Sequence, residues 1–262
     1  MTLSRRATAQ IVHGGLRTAL VAVAAACSSG AGVDGSLPDF DEPPVISDEL
    51  SQFDGQVWTK ADWWNGADFD SSFLPSRVAH SDGAMQLTLS PGGCPCHERS
   101  LAAGEVRTQR AFVYGRLQAR LRAATGSGLV SGLFLYTGKT FGHPHDEIDV
   151  EILGQDPSTA VLGYFKAGKQ AGVAKVALGF DASADYHTYA IDWLPDRIRW
   201  WVDGKLVHEV SGAPEQLPSH PSRVYVNLWR CADSNWCGAH ESDQAQLSVD
   251  WLRYWRHREV MQ

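Results

Sequence analysis

The sequence predicts an all-β protein built as a sandwich or barrel of antiparallel strands. Apolar and polar residues alternate with a period of two in many short segments, as they do in half-buried strands. Asp203 and Gly204 separate two such segments, and an Asp-Gly pair suits a tight hairpin turn because both positions tolerate positive φ. No stretch shows convincing helical periodicity, and the chain contains no internal repeat. Many short strands without helices indicate a sandwich or a barrel.

The predicted strands follow one another from residue 85 to residue 255. Leu117, Ala119 and Leu121 illustrate the pattern, because they share one face of a segment whose other face carries arginines. Later segments are aromatic and β-branched, a composition that favours strands. The predicted strands are Met85–Leu89, Tyr114–Arg122, Leu129–Tyr136, Tyr186–Trp193, Ile198–Val202, Lys205–Val210, Val224–Trp229 and Leu247–Trp255.

The chain of 262 residues is expected to contain one folded domain, over residues 51–262. Sandwiches of roughly 200–250 residues commonly fold as one unit. Residues 1–27 are predicted to form an export segment. Residues 28–50 are rich in Gly, Ser, Pro and Asp and lack periodicity, so they are predicted to be a flexible linker.

The export segment has the features of a bacterial signal sequence. Arginines precede an apolar run at residues 18–26 that is too short to span a bilayer. The run ends at Cys27, and small residues followed by cysteine resemble the lipoprotein cleavage box, in which that cysteine is lipidated. Ordinary cleavage near Ala26 is the alternative. We therefore expect an exported protein that is either secreted or anchored at the cell envelope, with Cys27 as its one link to a membrane.

Composition narrows the class of partner. The net charge of -7 argues against nucleic acid, because binding a polyanion requires a basic surface. Ten tryptophans and an aromatic content of 10% suit a neutral polymer better, since aromatic faces stack on sugar rings. A polysaccharide is therefore the favoured partner class, and a monomer is the expected state.

The cysteines beyond Cys27 form two close pairs. Cys231 and Cys237 bound a short loop and are predicted to form a disulfide, which export would permit. Cys94 and Cys96 are separated by one residue, so a bridge would be strained, and two free thiols are equally consistent with the sequence. A zinc site from these four is disfavoured because their spacing matches no usual structural site.

Three acids occupy one face of a predicted strand. Glu147, Asp149 and Glu151 alternate with apolar residues at 148, 150 and 152, so the two sets point to opposite sides. A solvated acidic face would give the same alternation, but no lysine interrupts the repelling carboxylates. The Cα atoms of the two glutamates would lie about 13 Å apart on a strand. Side chains leaning together can approach the roughly 5–5.5 Å typical of the carboxyl pair in retaining glycosidases.

The segment Glu147–Gly154, Glu-Ile-Asp-Val-Glu-Ile-Leu-Gly, resembles the active-site strand of glycoside hydrolase family 16 in its form without a bulge residue. Bacterial β-1,3-1,4-glucanases (lichenases), xyloglucan transglycosylases and some exopolysaccharide depolymerases share this form. The resemblance covers roughly residues 56–256. Further matching segments are Gly104–Arg107, Tyr114-Gly115, Ser127–Gly138, Leu178–Asp181, His187–Trp193, Trp201–Gly204, Asn227–Trp229 and Asp250-Trp251.

The resemblance implies a concanavalin A-like jelly-roll sandwich with a carbohydrate-binding cleft across its concave sheet. It implies that Glu147 is the nucleophile, Asp149 its helper and Glu151 the general acid/base of a retaining, endo-acting β-glucanase. No cofactor is implied for the chemistry. The substrate-binding residues implied are Asn65, Glu105, Arg107, Phe134, Tyr136, His145, Tyr164, Asn227 and Trp229.

A structural calcium site is also implied by the resemblance. The Asp250 carboxylate and the Gly83 carbonyl would supply oxygen ligands, which this hard ion prefers. Zinc at His143 and His145 is a weaker alternative, since one proline-constrained pair of histidines carries little information.

Two departures from the lichenase pattern leave the substrate open. His145 stands where lichenases usually have Trp, and Gly163 begins the run Gly-Tyr-Phe where they carry Asn-Tyr-Tyr. His-Asp-Glu-Ile-Asp is closer to the transglycosylases and depolymerases. A transglycosylase or an exopolysaccharide depolymerase with the same chemistry, or a non-catalytic lectin-like module, therefore remains an alternative.

Overall fold

The computed structural model describes residues 39–93 and 99–258. Every described residue belongs to one compact unit. Cys27, Cys94 and Cys96, together with the predicted export segment, lie outside the described residues. None of the helices in the described part of the chain is long and apolar enough to cross a membrane.

The described residues form seventeen strands and very little helix. One four-residue helix, α1 (Ser234–Cys237), and the 3-10 turns Pro75–Arg77 and Lys139–Phe141 interrupt them. In chain order the strands are β1 (Ile46–Asp48), β2 (Trp58–Lys60), β3 (Ser72–Phe73), β4 (Val78–Ser81), β5 (Ala84–Pro91), β6 (Leu101–Ala103), β7 (Glu105–Thr108), β8 (Gly115–Arg122), β9 (Leu129–Thr137), β10 (Asp146–Leu153), β11 (Thr159–Lys166), β12 (Lys169–Ala177), β13 (His187–Trp193), β14 (Arg197–Val202), β15 (Lys205–Ser211), β16 (Arg223–Arg230) and β17 (Ala245–Arg256).

These strands make two sheets. The ten-stranded sheet has the order β15-β14-β13-β8-β17-β5-β6-β3, with β1 added on β17 and β4 on β5. The seven-stranded sheet has the order β12-β11-β10-β9-β16-β7-β2. Pairing is antiparallel, apart from the short β3–β6 pair. The acid-bearing strand β10 lies inside the seven-stranded sheet, where β9 and β11 hold it on both sides.

One apolar core fills the space between the two sheets. Leu117 and Ile191 enter it from the ten-stranded sheet, and Leu133 and Val226 enter it from the seven-stranded sheet. The buried Trp200 of β14 crosses the core and donates from Nε1 to the Asp149 carbonyl oxygen at 2.9 Å. The sequence prediction of an all-β sandwich is therefore confirmed, and the sandwich ties its acid-bearing strand to the opposite sheet.

The predicted strand segments agree closely with the observed ones. Each of the eight lies within an observed strand or overlaps it to within one residue at either end. The predicted turn is present as well, since Asp203 and Gly204 have φ values of 46° and 75° between β14 and β15. Strands β7, β11 and β12 were not identified as strands from alternation. β12 is largely exposed along its length, so its sequence shows little alternation of apolar and polar residues.

The folded domain begins before residue 51, so the predicted linker extends too far. Residues 46–48 form β1 and pair with β17, and Phe40 forms an isolated bridge with His257. The side chains of Phe40, Ile46 and Leu50 are buried. The few buried residues of this segment are scattered among prolines and acids. Apolar and polar residues therefore do not alternate there, and the sequence gives no sign of a strand.

The disulfide between Cys231 and Cys237 is present as predicted, with a Cα–Cα distance of 6.5 Å. Helix α1 fills the loop that it closes. The Asp233 side chain caps this helix by accepting from the Asn235 N–H at 3.0 Å. The bridge fixes the chain that follows β16, at one end of the site described below.

Candidate active site

The alternation along β10 places the three acids on the outer face of the seven-stranded sheet. Ile148, Val150 and Ile152 are at most 3% exposed and belong to the core. The intervening Glu147 and Glu151 are half-buried, and Asp149 is 8% exposed. The acids therefore face away from the core, as the sequence predicts.

A cleft of about 500 Å³ lies on this outer face, beside Glu147. It contains seven of the nine substrate-binding residues that the family resemblance implied. The residues lining it are Trp63, Trp64, Asn65, Phe69, Glu105, Arg107, Phe134, Tyr136, Thr140, Phe141, His145, Glu147, Tyr225 and Asn227.

Strand register arranges these residues in rows across the sheet. Glu147 lies opposite Tyr136 of β9. Asp149 lies opposite Phe134, and this row continues through Tyr225 of β16 to Arg107 of β7. Paired residues share a face, so each acid begins a row of side chains that runs toward the cleft.

The third row contains a gap where a side chain would stand. It runs from Glu151 through Gly132 to Asn227 and Glu105. A Cβ at Gly132 would lie 2.5 Å from Asn227 Oδ1. Glycine therefore leaves Asn227 free to occupy the floor of the cleft.

Aromatic rings form much of the remaining floor. Phe134 and Tyr225 stack with centroids 5.0 Å apart and planes at 15°, and Tyr136 meets Tyr225 edge-on at 5.7 Å. The Arg107 guanidinium lies 4.6 Å from the Trp63 ring and 5.0 Å from the Phe141 ring. Such apolar faces beside fixed polar groups suit the two faces and the hydroxyl edge of a sugar.

Two of the acids on β10, Asp149 and Glu151, have raised pKa values because of their surroundings. Burial, followed by the nearby charges of Glu147 and Glu151, raises the pKa of Asp149 well above its ordinary value. Burial and the charge of Glu147 raise the pKa of Glu151 to about 8. Protonated Asp149 hydrogen-bonds the Glu147 side chain. Near neutral pH the strand therefore carries a proton donor at Glu151, which is one of the two roles that glycoside hydrolysis needs.

Glu105 is a fourth acid, fully buried at the far side of the cleft. Its carboxylate accepts from Trp63 Nε1 at 2.9 Å, Asn227 Nδ2 at 3.0 Å and Asn65 Nδ2 at 3.4 Å. Burial raises its pKa to about 7 in spite of these donors. This network fixes Asn65 and Asn227, so their remaining polar atoms have defined positions toward the cleft.

His145 lines the cleft and contacts the predicted nucleophile directly. Its Nε2 lies 2.6 Å from Glu147 Oε2. The imidazole stacks on Phe165 of β11, with centroids 5.0 Å apart and planes at 14°. His145 therefore has a polar contact with the acid strand, in addition to the sugar contact that the sequence predicts.

Tyr164 and Trp229 do not line the cleft, which corrects two sequence predictions. Tyr164 pairs with Ile148, so its side chain lies on the core face, and its neighbour Phe165 takes the outer face opposite Glu147. Trp229 is on the outer face but is only 7% exposed, because Phe69 and Trp236 cover it with centroids at 4.2 and 5.9 Å. Trp229 supports Phe69, which does line the cleft.

Six lining residues were not predicted. Tyr225 could have been found, since it alternates with Asn227 on one strand. Trp63 and Trp64 directly precede the predicted Asn65, and exposed tryptophans near such a residue are a usable signal. Phe69, Thr140 and Phe141 lie in connections, where no periodicity indicates which way a side chain points.

The calcium ion that the resemblance implied at Asp250 and Gly83 stays a prediction, and the ion pair of Asp250 argues against it. Asp250 lies at an irregularity in β17, and the pairing of Val249 with Met85 brings it toward the end of β5 that Gly83 precedes. Its carboxylate is ion-paired with the Arg120 guanidinium, which packs 4.9 Å from the Tyr186 ring. A bound cation would have to displace this guanidinium. The described residues also contain no cluster of three metal-ligating side chains, at His143 and His145 or elsewhere.

Comparison with known proteins identifies the family. Residues 65–253 match the profile of a family described as glycosyl hydrolases family 16. The chain belongs to this family. Its cleft and acid strand are the candidate active site of this family member.

Several relatives carry the name beta-glucanase. One from Acetivibrio thermocellus is 37% identical over 210 residues, which cover 79% of this chain and 61% of the relative. This chain thus spans less than two thirds of that protein. One from Bacillus subtilis is 36% identical over 79% of this chain and 84% of its own length.

Solved structures show the same jelly-roll sandwich. The Bacillus licheniformis beta-glucanase superposes with a TM-score of 0.74 at 34% identity, covering 80% of this chain and 96% of its own. A lichenase from a mouse hindgut metagenome gives 0.76 at 33% identity, with coverage of 80% and 97%. A Thermotoga maritima laminarinase gives 0.71 at 19% identity over 83% and 98% of the two chains, and at that identity it supports the fold alone.

Proposed function

We propose that this protein is an endo-acting, retaining hydrolase of β-glucan-type polysaccharide. The observation that supports this most strongly is the outer face of β10, where Glu147, Asp149 and Glu151 share one side of the strand beside a cleft lined by aromatic rings. A cleft on an open sheet face admits the middle of a long chain, which suits an endo mode of attack.

In the first step Glu147 attacks the anomeric carbon of the bound sugar. The bond from that carbon to the leaving oxygen breaks while Glu151 transfers its proton to the oxygen. The raised pKa of Glu151 keeps this proton available at neutral pH. The products of the step are a shortened glucan chain and a glycosyl ester on Glu147.

In the second step Glu151, now a carboxylate, accepts a proton from water. The water oxygen bonds to the anomeric carbon, and the ester electrons return to Glu147. Two displacements at the same carbon give net retention of configuration. Asp149 donates its hydrogen bond to Glu147 and so helps the carboxylate to leave.

The substrate class follows from relatives named beta-glucanase and from the aromatic floor of the cleft. His145 and Gly163 stand where lichenases carry a larger side chain and an amide. Losing stacking area and a discriminating hydrogen bond weakens recognition of one particular sugar arrangement. We therefore expect weaker activity on barley-type mixed-linkage glucan than lichenases show.

A polysaccharide panel tests this proposal. Barley β-glucan, laminarin and xyloglucan are digested separately, with Glu147→Gln as the inactive control, and the products are sized. Internal cleavage of at least one β-glucan, absent in the control, is the expected result. Activity on barley glucan equal to that of lichenases, with no cleavage of any other β-glucan, would contradict the specificity proposal.

A transglycosylase is the second candidate, because His145 and the following Asp-Glu-Ile-Asp resemble that group more closely. It would use the same glycosyl ester and release it to a sugar hydroxyl. An exopolysaccharide depolymerase would differ only in its polymer. Adding labelled oligosaccharide acceptors to the digestion distinguishes a transglycosylase from a hydrolase, since a transglycosylase would incorporate the label into longer products.

We also propose that the protein is exported and anchored through a lipidated Cys27. The apolar run that ends at this cysteine supports the proposal, as does the Gly- and Ser-rich segment behind it. Intact-mass analysis of protein from the membrane fraction decides the matter. A mature N-terminus that is free and unmodified would contradict anchoring.

A further inference from the structure

The contact between His145 and Glu147 gives one of the two glutamates a partner of its own. His145 Nε2 lies 2.6 Å from Glu147 Oε2, a distance typical of a hydrogen bond to a charged group. The strand direction explains the contact, since residues two apart on a strand point to the same side. His145 therefore contacts Oε2 of the Glu147 carboxyl group and not Oε1.

The imidazole is held in one orientation by its neighbours. It stacks on Phe165 of β11 at 5.0 Å and 14°, and it packs at a tilt on Tyr136 of β9 at 5.2 Å and 59°. The His145 side chain is 34% exposed and that of Glu147 is 19% exposed. A ring fixed from both sides directs its N–H toward the carboxylate at little further entropic cost.

The charges around this pair are mostly negative. Asp146, Asp149 and Glu151 lie on the same strand. Across the cleft stand Glu105 and Arg107 of β7, and Tyr136 flanks the pair. Arg107 is turned toward the Trp63 and Phe141 rings and donates to the Tyr225 hydroxyl at 3.4 Å.

The imidazole is therefore the basic side chain that the structure places against Glu147. The pKa of His145 is raised, chiefly by its hydrogen bond to Glu147, so the ring retains its proton to a higher pH than a free histidine. Glu151 lies on the same strand face, four residues further along.

We propose that His145 is a positioning residue that holds Oε2 of Glu147 by a hydrogen bond, so that Oε1 attacks the sugar, and that eases departure of the carboxylate in the second step. The proposal rests on the double displacement described above. When Oε1 bonds to the anomeric carbon, Oε2 becomes the ester carbonyl and still accepts from Nε2–H. When that bond breaks, the electron pair returns to a carboxylate that has kept its donor, and the His145 proton stays in place throughout.

Kinetics of two His145 variants test the proposal. His145→Phe keeps a ring against Phe165 but removes the donor, whereas His145→Gln keeps a donor. We expect kcat of His145→Phe to fall about 10- to 100-fold with KM little changed, as for loss of a hydrogen bond to a charged group. The acid limb of its pH–rate profile should move to higher pH, because the attacking carboxylate has lost a hydrogen-bond donor, and His145→Gln should recover part of kcat.

The matched control is His143→Phe. His143 lies in the same turn but packs against His220, with centroids 5.4 Å apart, away from Glu147. It should keep the wild-type profile. Thermal unfolding of every variant checks that it is folded. A folded His145→Phe with wild-type kcat and an unmoved acid limb would overturn the proposal.

A second readout does not depend on any substrate. The His145 imidazole is titrated by NMR in the wild type and in Glu147→Gln, where the neutral amide cannot pair with a cation. A midpoint that falls in Glu147→Gln supports the pair, and an identical midpoint overturns it. If the wild type cleaves no β-glucan, the proposed function fails while this titration still decides whether the pair exists.

Discussion

At the scale of single residues, the chemistry depends on two glutamates four positions apart having different surroundings. Glu147 contacts the His145 imidazole and a protonated Asp149, whereas burial and the charge of Glu147 keep a proton on Glu151. The sequence predicts the three acids and their shared face. It does not predict which glutamate holds the proton, because that depends on neighbours contributed by other strands.

The first prediction concerns the alkaline limb of the pH–rate profile. Because Glu151 must be protonated for the first step and its pKa is about 8, kcat/KM should decline above that pH. Glu151→Gln should lose the limb and retain slow turnover of aryl glycosides with good leaving groups. Glu105→Gln should keep the limb, although Glu105 is also a buried acid. An unchanged limb in Glu151→Gln would refute the assignment.

The second prediction concerns calcium. Since Arg120 already neutralises Asp250, the melting temperature should be the same in EDTA and in millimolar calcium. The Arg120 and Asp250 side chains are 38% and 34% exposed, so water screens their ion pair. Arg120→Ala should therefore lower Tm by only roughly 1–4 °C. Differential scanning calorimetry measures both. A wild-type Tm that rises by several degrees with calcium would show that the ion displaces the guanidinium.

At the scale of secondary structure, alternation identifies strands. It shows which face of the sheet a side chain occupies only when the sequence makes clear which alternate residues are buried. The phase of β10 was clear, because its apolar residues are strictly alternate. The phase of β11 was not, since Tyr164 and Phe165 are both aromatic and either could face outward. Pairing with β10 decides between them, and it places Phe165 opposite Glu147.

The third prediction tests the row that joins β10 to β7. Gly132→Ala places a methyl group 2.5 Å from Asn227 Oδ1, so Asn227 must move and its bond to Glu105 must weaken. We expect KM to rise about tenfold with a smaller change in kcat, as for loss of a polar contact to substrate. Gly163→Ala is the matched control, since its Cβ would lie 3.4 Å from Asp149 Oδ2 and 3.7 Å from the Gly172 carbonyl oxygen, and it should have a lesser effect. Equal KM values for Gly132→Ala and the wild type would contradict the role of this row of residues in binding substrate.

At the scale of the whole molecule, the sequence predicts strands without predicting their order. Sandwich and barrel were equally consistent with alternation alone, and the family resemblance separated them. The cleft combines residues 63–69, 105–107, 134–147 and 225–227, which come together only through long-range pairing. Residues in connections, such as Phe141, therefore lay beyond what periodicity can predict.

The fourth prediction is a stability maximum on the acid side of neutrality. Folded Glu105 and Glu151 hold protons to about pH 7 and 8, so their stabilising contributions are complete below about pH 4.5 and are lost as pH rises through those values. Burial by itself would raise the pKa of Asp146, but Ala167 N–H, Ser219 N–H, His220 and Lys166 hold it at about 2. The contribution of Asp146 to the stability of the fold is present above about pH 4 and is lost as pH falls through 2.

Urea unfolding between pH 2 and 8 measures this profile. The free energy of unfolding should be greatest at about pH 4–5 and decline toward pH 8. For fully buried Glu105 the decline is roughly 3 kcal/mol, and Glu105→Gln should remove that share. A wild-type profile that rises steadily from pH 5 to 8 would contradict the protonated state of these acids.

The central claim is double displacement through Glu147, and the stereochemistry of the first-formed product tests it most directly. ¹H NMR follows the anomeric proton during digestion of a β-glucan, before mutarotation mixes the anomers. The wild type should release the β-anomer first. Glu147→Ala should be inactive, and azide should restore an α-glycosyl azide because a small anion can enter the space that the carboxylate leaves. Release of the α-anomer by the wild-type enzyme, or full activity in Glu147→Ala, would contradict the assignment.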